Sequence, residues 1–111
     1  MKRDVNLFID DILENIDLIE KSIKKISKTE FEKDKDIIDA TLRRLEVIGE
    51  AVKNLPSSFI KKFPEVPWKS IAGFRDVLIH AYFGVSLERV WNIIKKDMPE
   101  LKKKISNINI S

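Results

Sequence analysis

Hydrophobic residues recur along the first quarter of the chain at alternating spacings of four and three. The positions are Val5, Ile9, Ile12, Ile16, Ile19, Ile23 and Ile26. This spacing is typical of a helix that buries one apolar seam against partner helices. Asp4 precedes the seam and suits a helix N-cap, so we predict a first helix from Asp4 to about Lys28. A lone helix of this kind is not stable in water, which indicates a bundle.

A second apolar seam with the same spacing predicts a second long helix, from about Asp34 to Asn54. Its positions are Ile38, Thr41, Leu45, Ile48, Val52 and Leu55. The charged stretch between the seams predicts a short connection that Phe31 anchors to the core, and hence an antiparallel helical hairpin. Gly49 costs about 1 kcal/mol relative to alanine inside a helix, which indicates that another helix approaches closely there.

Another face of the second helix carries Arg43, Glu46, Glu50 and Lys53. Residues three and four apart are neighbours on a helix surface, and opposite charges at that spacing form weak ion pairs. The simplest interpretation of this stripe is therefore a hydrated surface.

Three prolines, at positions 56, 64 and 67, separate the second helix from the rest of the chain. Residues before proline avoid the helical region, so we predict a loop there, interrupted by one amphipathic turn from Phe59 to Phe63. Trp68 follows the last of these prolines and is expected to pack under the start of a third helix.

The third predicted helix runs from about Trp68 to Phe83 and ends at Gly84. Ser86 suits the N-cap of a fourth helix, and Pro99 predicts a kink near residues 97–98 followed by a short last helix. The fold class is therefore all-α, an up-and-down bundle of four to five helices. We expect one domain over residues 1–111, with a frayed tail from about 106.

Composition narrows the possible classes of protein. The 111 residues include three glycines and four prolines, too few for the turns of an all-β fold. There is no cysteine, so disulfides and thiolate chemistry are excluded and a cytoplasmic location is expected. No run approaches the ~20 apolar residues of a membrane span, so no membrane partner is expected.

Charge is unevenly divided along the chain. The formal net charge is +3, with 11 basic against 13 acidic residues in positions 1–55 and 10 against 5 in positions 56–111. The basic second half is compatible with a polyanionic ligand. A hydrated, lysine-rich surface explains the same excess.

The most distinctive stretch is R-D-V-L-I-H-A-Y, which holds the only histidine and the only tyrosine of the protein. On a helix at about 100° per residue, with Arg75 at 0°, Asp76 falls at about 100°, His80 at about 140° and Tyr82 at about −20°. Asp76 precedes His80 by four residues, close enough to hydrogen-bond the imidazole and fix its tautomer. Arg75 offers a planar donor fork suited to phosphate. Together these groups indicate phosphodiester chemistry.

Other kinds of chemistry have little support in the sequence. A single histidine without cysteine does not make a zinc or two-metal site, and no glycine-rich nucleotide-binding loop is present. No cofactor is therefore expected. A lone histidine on a helix is more often an ordinary surface residue, which leaves a plain helical interaction protein as an alternative.

The segment Arg75–Tyr82 matches the R-x4-H-x-Y motif of the HEPN superfamily, and the chain resembles its HepT-like toxins in particular. Three further stretches are similar to this group and carry the resemblance over most of the chain. They are L-E-V-I-G-E-A (Leu45–Ala51), P-W-K-S-I-A-G-F-R-D (Pro67–Asp76) and V-W-N-I-I-K-K-D-M-P-E-L (Val90–Leu101).

The resemblance implies a helical-bundle homodimer that acts as a metal-independent endoribonuclease, the toxin of a toxin–antitoxin pair. It implies that Arg75 and His80 are the catalytic pair and that Asp76 supports them. In such proteins the motif tyrosine, here Tyr82, can be adenylylated by a partner nucleotidyltransferase, which silences the toxin. A non-catalytic HEPN dimer that binds a nucleotidyltransferase is the alternative.

The residues themselves also favour a dimer. RNA cleavage by 2′-hydroxyl attack benefits from a general base and a general acid, and one chain has only His80 for both. A two-fold axis beside the third helix would supply the second histidine. Gly73, near the arc of His80, would admit a partner helix, and Ile79 and Phe83 would become interface residues.

Overall fold

Every assigned element of the computed structural model is helical over residues 4–108, the part of the chain that the structure describes. The predicted all-α class is confirmed. The elements are α1 (Val5–Ile23), α2 (Lys28–Lys33), α3 (Lys35–Lys53), α4 (Ser57–Lys62), α5 (Trp68–Ala72), α6 (Arg75–Tyr82), α7 (Leu87–Asn92), a π-helical turn (Ile93–Asp97) and α8 (Met98–Ser106).

The two long helices, α1 and α3, pack against each other along their predicted seams. Ile12, Ile16, Leu45 and Ile48 are completely buried between them. Asp4 caps α1 as predicted, because its side chain accepts a hydrogen bond of 2.7 Å from the N–H of Asn6. Helices α5 and α6 then pack on α3, while α8 packs on α1, so the bundle surrounds one core.

The connection between the long helices differs from the prediction. Helix α1 ends at Ile23 instead of Lys28, and the connection contains its own short helix, α2. Ser27 and Glu30 form a reciprocal capping box that starts α2. Phe31 is fully buried, as predicted, and its ring lies 5.3 Å from that of Trp91.

The predicted third helix is broken in two. Helix α5 ends at Ala72, with Gly73 at its C-cap position, and α6 begins at Arg75. The N–H of Phe74 bonds the carbonyl of Ile71 at 3.2 Å, a three-residue step that tightens the chain between the two helices. Gly73 is therefore not on the motif helix, and the helical-wheel angle predicted for it does not apply.

The predicted close approach at Gly49 is confirmed. A Cβ atom there would lie 3.3 Å from the carbonyl oxygen of Ile71, so α3 and α5 are nearly in backbone contact. Trp68 is buried at the start of α5, as predicted, and its indole N–H donates to the carbonyl of Phe63 at 3.0 Å. These contacts fix the segment that leads into α6.

Gly84 ends α6 with a backbone φ of +82°, as predicted. The N–H of Gly84 bonds the carbonyl of Ala81, and the N–H of Val85 bonds the carbonyl of His80, both at 2.9 Å. These two bonds define a Schellman motif. Ser86 lies at the N-cap position of α7 with φ +68°, but its hydroxyl makes no capping bond, contrary to the prediction.

A π-helical turn, Ile93–Asp97, lies where Pro99 predicted a kink, and it joins α7 to α8. The backbone stays helical through Asp97 and Met98, and Pro99 lies in the first turn of α8. Ser106 ends α8 and Ile108 packs partly against the core. The rest of the predicted frayed tail, residues 109–111, lies outside the described residues.

Within residues 4–108, no helix is both long enough and apolar enough to cross a membrane.

Candidate functional site

Helix α6 presents the four predicted site residues to solvent. Its inner face consists of Phe74, Val77 and Ala81, which are buried in the core as the helical pattern predicts. The outer face therefore carries the polar groups of the motif. All four are exposed: Arg75, Asp76, His80 and Tyr82.

An apolar ridge runs along this outer face. It consists of Ile79, Tyr82, Phe83 and Val85, which are 45, 61, 75 and 58% exposed. On the helical wheel of α6, Ile79 falls at about 40°, between Arg75 at 0° and His80 at about 140°. The arginine and the histidine therefore flank the ridge on opposite sides at Ile79.

A cavity of about 670 Å³ separates α3 from α5 and α6, and we call it the α3–α6 cavity. Arg75 and Tyr82 line it, so the structure brings these two site residues together. Asp76 and His80 are not among its lining residues. The remaining lining residues are Asp39, Leu42, Arg43, Leu45, Glu46, Gly49, Glu50, Lys53, Ala72, Phe74, Leu78 and Ile79.

The charged stripe of α3 forms one wall of this cavity. Its carboxylates pair with basic residues three or four positions away on the same helix, as predicted for a hydrated stripe. The pairs are Lys35–Asp39 at 3.1 Å, Arg43–Glu46, and Lys53–Glu50 at 3.4 Å. Arg75 has no carboxylate within ion-pair distance among residues 4–108. It is therefore the uncompensated cation of the cavity.

Tyr82 sits at the edge of the cavity with much of its side chain open to solvent. The ammonium group of Lys35 lies 5.1 Å from the centre of its ring, which is cation–π distance. The ring of Phe83 meets it edge-on, with centroids 5.1 Å apart. The phenol is thus accessible and has a positive charge beside it.

Asp76 and His80 share the exposed face of α6, but no hydrogen bond joins their side chains in the described part of the chain. The predicted orientation of the imidazole by Asp76 is therefore not formed within a single chain. A pair four residues apart on a hydrated surface gains only about 0.2–0.5 kcal/mol. Water competes effectively for both groups at that energy.

Helix α7, which packs beside α6, is itself held by α2. Lys28 and Glu88 form an ion pair of 2.9 Å between these two helices. The hydrogen bond from Lys28 lowers the pKa of the Glu88 carboxyl, and the same bond raises the pKa of the Lys28 ammonium. Together with the Phe31–Trp91 contact, this pair ties α7 to the start of the bundle.

The sequence pattern did not show that the α3 wall lies beside the motif helix. Its charged residues have the i, i+3 spacing of any hydrated stripe. Their proximity to Arg75 depends on the close approach of α3 and α5 at Gly49, the one feature of the pattern that pointed to it.

No group of three or more histidine or acidic side chains within residues 4–108 is arranged to hold a metal ion.

The fold and the motif helix define a class: small all-helical proteins that present an arginine, a histidine and a tyrosine on one exposed helix face. Residues 12–108 match the model of the family described as Ribonuclease HepT-like. The chain belongs to this family.

Several relatives cover nearly the whole chain. A protein of Methanocaldococcus jannaschii named as a candidate RNase is 50% identical over 96% of this chain and 88% of its own length. The "Probable ribonuclease HepT" of Thermococcus cleftensis is 44% identical over 97% of this chain and 98% of its own length.

A longer protein of M. jannaschii, named as a gamma-glutamylcyclotransferase and candidate RNase, is 46% identical over 97% of this chain. The chain spans about half of that relative, 49% of its length. No solved structure matches the chain.

Proposed function

We propose that this protein is a metal-independent endoribonuclease, the toxin of a toxin–antitoxin pair, with Arg75 and His80 as its catalytic residues. The observation that carries the proposal is the placement of the whole motif on the exposed face of α6 in a chain of the Ribonuclease HepT-like family. An imidazole and a free guanidinium on an open surface suit RNA, whose backbone phosphates reach only accessible groups.

The reaction follows from the chemistry of these two side chains. His80 removes the proton of a ribose 2′-hydroxyl, and the resulting oxygen attacks the adjacent phosphorus. The bond from phosphorus to the 5′-oxygen breaks, and that oxygen receives a proton from a general acid. Arg75 stabilises the charge that develops on the phosphate oxygens. The products are a 2′,3′-cyclic phosphate and a 5′-hydroxyl.

The apolar ridge supports a homodimer as the working unit. Ile79, Phe83 and Val85 are 45, 75 and 58% exposed. A contiguous apolar surface of this kind is unfavourable in water. A second copy related by a two-fold axis would cover these three residues with the same surface and leave Tyr82 at the rim, where it lines the α3–α6 cavity. Because Arg75 and His80 flank the ridge, the His80 of the partner subunit would then lie near the Arg75 side. One imidazole could act as the base and the other as the acid.

Tyr82 is the proposed control point. A cognate nucleotidyltransferase, acting as the antitoxin in the cytoplasm, would transfer the adenylyl group of ATP to the phenol oxygen and release pyrophosphate. The exposure of Tyr82 and the nearby Lys35 ammonium support access of an anionic nucleotide. The added phosphodiester would block the approach of RNA by bulk and by charge repulsion.

Purified protein incubated with RNA in excess EDTA tests the activity. We expect cleavage in EDTA, and a loss of about 10²- to 10⁴-fold in His80→Ala, the usual contribution of general acid–base catalysis. Arg75→Ala is expected to lose activity, whereas Arg89→Ala, an exposed arginine on α7, is the matched control that keeps it. Circular dichroism verifies that each variant is folded.

Two results would contradict the proposal: cleavage that survives His80→Ala, or cleavage that disappears with EDTA. A protein that cuts no RNA but binds a nucleotidyltransferase equally well with and without Arg75→Ala would instead support the non-catalytic dimer.

A further inference from the structure

We propose that the α3–α6 cavity is a base-binding subsite, which takes one unpaired nucleobase of the RNA next to the phosphate held by Arg75, with guanine preferred. The inference rests on the proposed ribonuclease function and deepens it, because it concerns which substrate the same site selects. It assigns a role to the α3 wall, which the motif itself does not use.

The size and floor of the cavity suit a planar organic group. A volume of about 670 Å³ lies within the ~300–1,000 Å³ of small-molecule sites. Its floor is apolar and drawn from three helices. The apolar lining residues are Leu42, Leu45, Gly49, Ala72, Phe74, Leu78 and Ile79. Such a floor favours an uncharged, flat ligand over a polyphosphate.

The charges around the cavity specify the same kind of ligand. Three acidic and three basic side chains line it, so the lining as a whole is formally neutral. The acidic ones are already paired with basic residues of α3, which leaves only the Arg75 guanidinium without a partner in the described chain. A neutral ring joined to a single phosphate matches this arrangement, and a nucleotide unit of RNA is such a ligand.

The α3 wall supplies the polar groups that distinguish bases. Glu46 and Glu50 each use the oxygen Oε1 in an ion pair on α3, which leaves Oε2 of each carboxylate to accept hydrogen bonds from amino and imino groups on base edges. Arg43 and Lys53 stand beside them as donors. Guanine presents two adjacent donors followed by one carbonyl acceptor, which matches a carboxylate with a neighbouring cation. Uracil presents a single donor between two carbonyls and fits this wall worst.

Tyr82 provides a stacking surface at the entrance. Its ring is 61% exposed and lines the cavity on the side of Arg75. Unpaired RNA bases commonly stack on aromatic side chains, and this interaction tolerates any base. Stacking on Tyr82 would therefore add affinity, while the α3 wall would add the preference.

The cavity is also held open by rigid structure. A Cβ atom added to Gly49 would lie 3.3 Å from the carbonyl oxygen of Ile71. This close approach sets the separation of α3 and α5 at the base of the cavity. A binding site formed between packed helices needs little rearrangement when its ligand enters. This preorganisation makes a measurable affinity for a single nucleotide reasonable.

The test titrates the purified protein with each of the four 3′-nucleoside monophosphates and monitors its backbone amides by NMR. We expect 3′-GMP to shift amides of α3 and α6 and to bind about 5- to 100-fold more tightly than 3′-UMP, the range of discrimination by one bidentate base contact. Glu46→Gln or Glu50→Gln is expected to remove most of this preference. Glu14→Gln, an exposed change on α1, is the matched control that retains it.

A second variant tests the cavity without altering its charges. Ala72→Phe places a ring in the space and is expected to weaken all four nucleotides by tenfold or more, with the helical circular dichroism unchanged. Equal binding of all four nucleotides, or a guanine preference that survives both glutamate changes, would overturn the proposal. The proposal would also be overturned if the amide shifts of α3 changed with protein concentration and not with nucleotide concentration, because a second copy of the protein would then fill the cavity.

These results are distinguishable from failure of the ribonuclease proposal. Guanine binding at α3 without RNA cleavage would leave the subsite intact and refute the activity. RNA cleavage with no preference for the base beside the cut would refute the subsite alone.

Discussion

The exposed ring of Phe83 offers a direct test of the proposed dimer. Phe83 is 75% exposed in the single chain, the most exposed residue of the apolar ridge, and follows the end of α6. Phe83→Asp replaces this ring with a charge. If two ridges face each other across a two-fold axis, every dimer loses two buried rings and gains two buried or closely spaced carboxylates.

The size of the effect follows from the exposed fraction. Complete burial of a phenylalanine side chain is worth about 1.5–3 kcal/mol, so three quarters of it is worth about 1–2 kcal/mol in each copy. Two copies give about 2–4 kcal/mol per dimer. At about 1.4 kcal/mol for each factor of ten, the dissociation constant should rise about 30- to 700-fold. Repulsion between the new carboxylates adds to this.

Sedimentation velocity over a dilution series measures the dissociation constant of each protein. Leu7→Asp is the matched control, because Leu7 is also an exposed apolar residue, 46% exposed, but lies on α1. We expect the control to dimerise like the parent protein. An unchanged dissociation constant in Phe83→Asp, or an equal rise in Leu7→Asp, would refute the ridge as the dimer surface.

Three further predictions concern the fold that holds the site. Thr41 is completely buried and its hydroxyl has no hydrogen-bond partner within the described structure, so Thr41→Val should stabilise the protein by about 1 kcal/mol in urea unfolding; a loss of stability would contradict this. Gly84→Ala should cost about 1 kcal/mol in the same assay, because φ is +82° and the added Cβ meets nothing within 4 Å, so the cost is in the backbone alone. The Lys28–Glu88 pair should stabilise the fold fully above the unfolded pKa of Glu88, and its contribution should be lost as pH falls through the lowered folded value. Lys28→Met should therefore reduce stability at neutral pH but not in acid, and an equal loss at both would exclude the ion pair as the cause.

Much of the bundle follows from apolar periodicity, because burial alone decides it. The seams of the two long helices predicted α1 and α3, and the one aromatic residue of the charged connection predicted the burial of Phe31. The cost of a glycine inside a helix predicted the close approach at Gly49. What escaped prediction depends on local hydrogen bonds. The capping box of Ser27 and Glu30 is written in the sequence as S-K-T-E, but the surrounding charges resemble a linker. The break after Gly73 leaves the apolar pattern almost unchanged.

The site was predictable in part for a related reason. One exposed helix face carries the motif, so its spacing could place Arg75, His80 and Tyr82 on a common arc. The α3–α6 cavity joins segments at least 19 residues apart, and helical spacing within one segment does not reveal which helix faces pack against each other. The missing hydrogen bond between Asp76 and His80 depends on competition with water, which spacing also does not reveal.

The central claim is that the ribose 2′-hydroxyl attacks its own phosphate at Arg75 and His80. The most direct measurement uses an RNA oligonucleotide with a single 2′-O-methyl group at the cleaved position, in EDTA, with end-group analysis of the products. We expect the unmodified RNA to give a 2′,3′-cyclic phosphate and a 5′-hydroxyl, and the methylated RNA not to be cut at that position. Cleavage of the methylated RNA at the same position, or products with a 5′-phosphate, would contradict it.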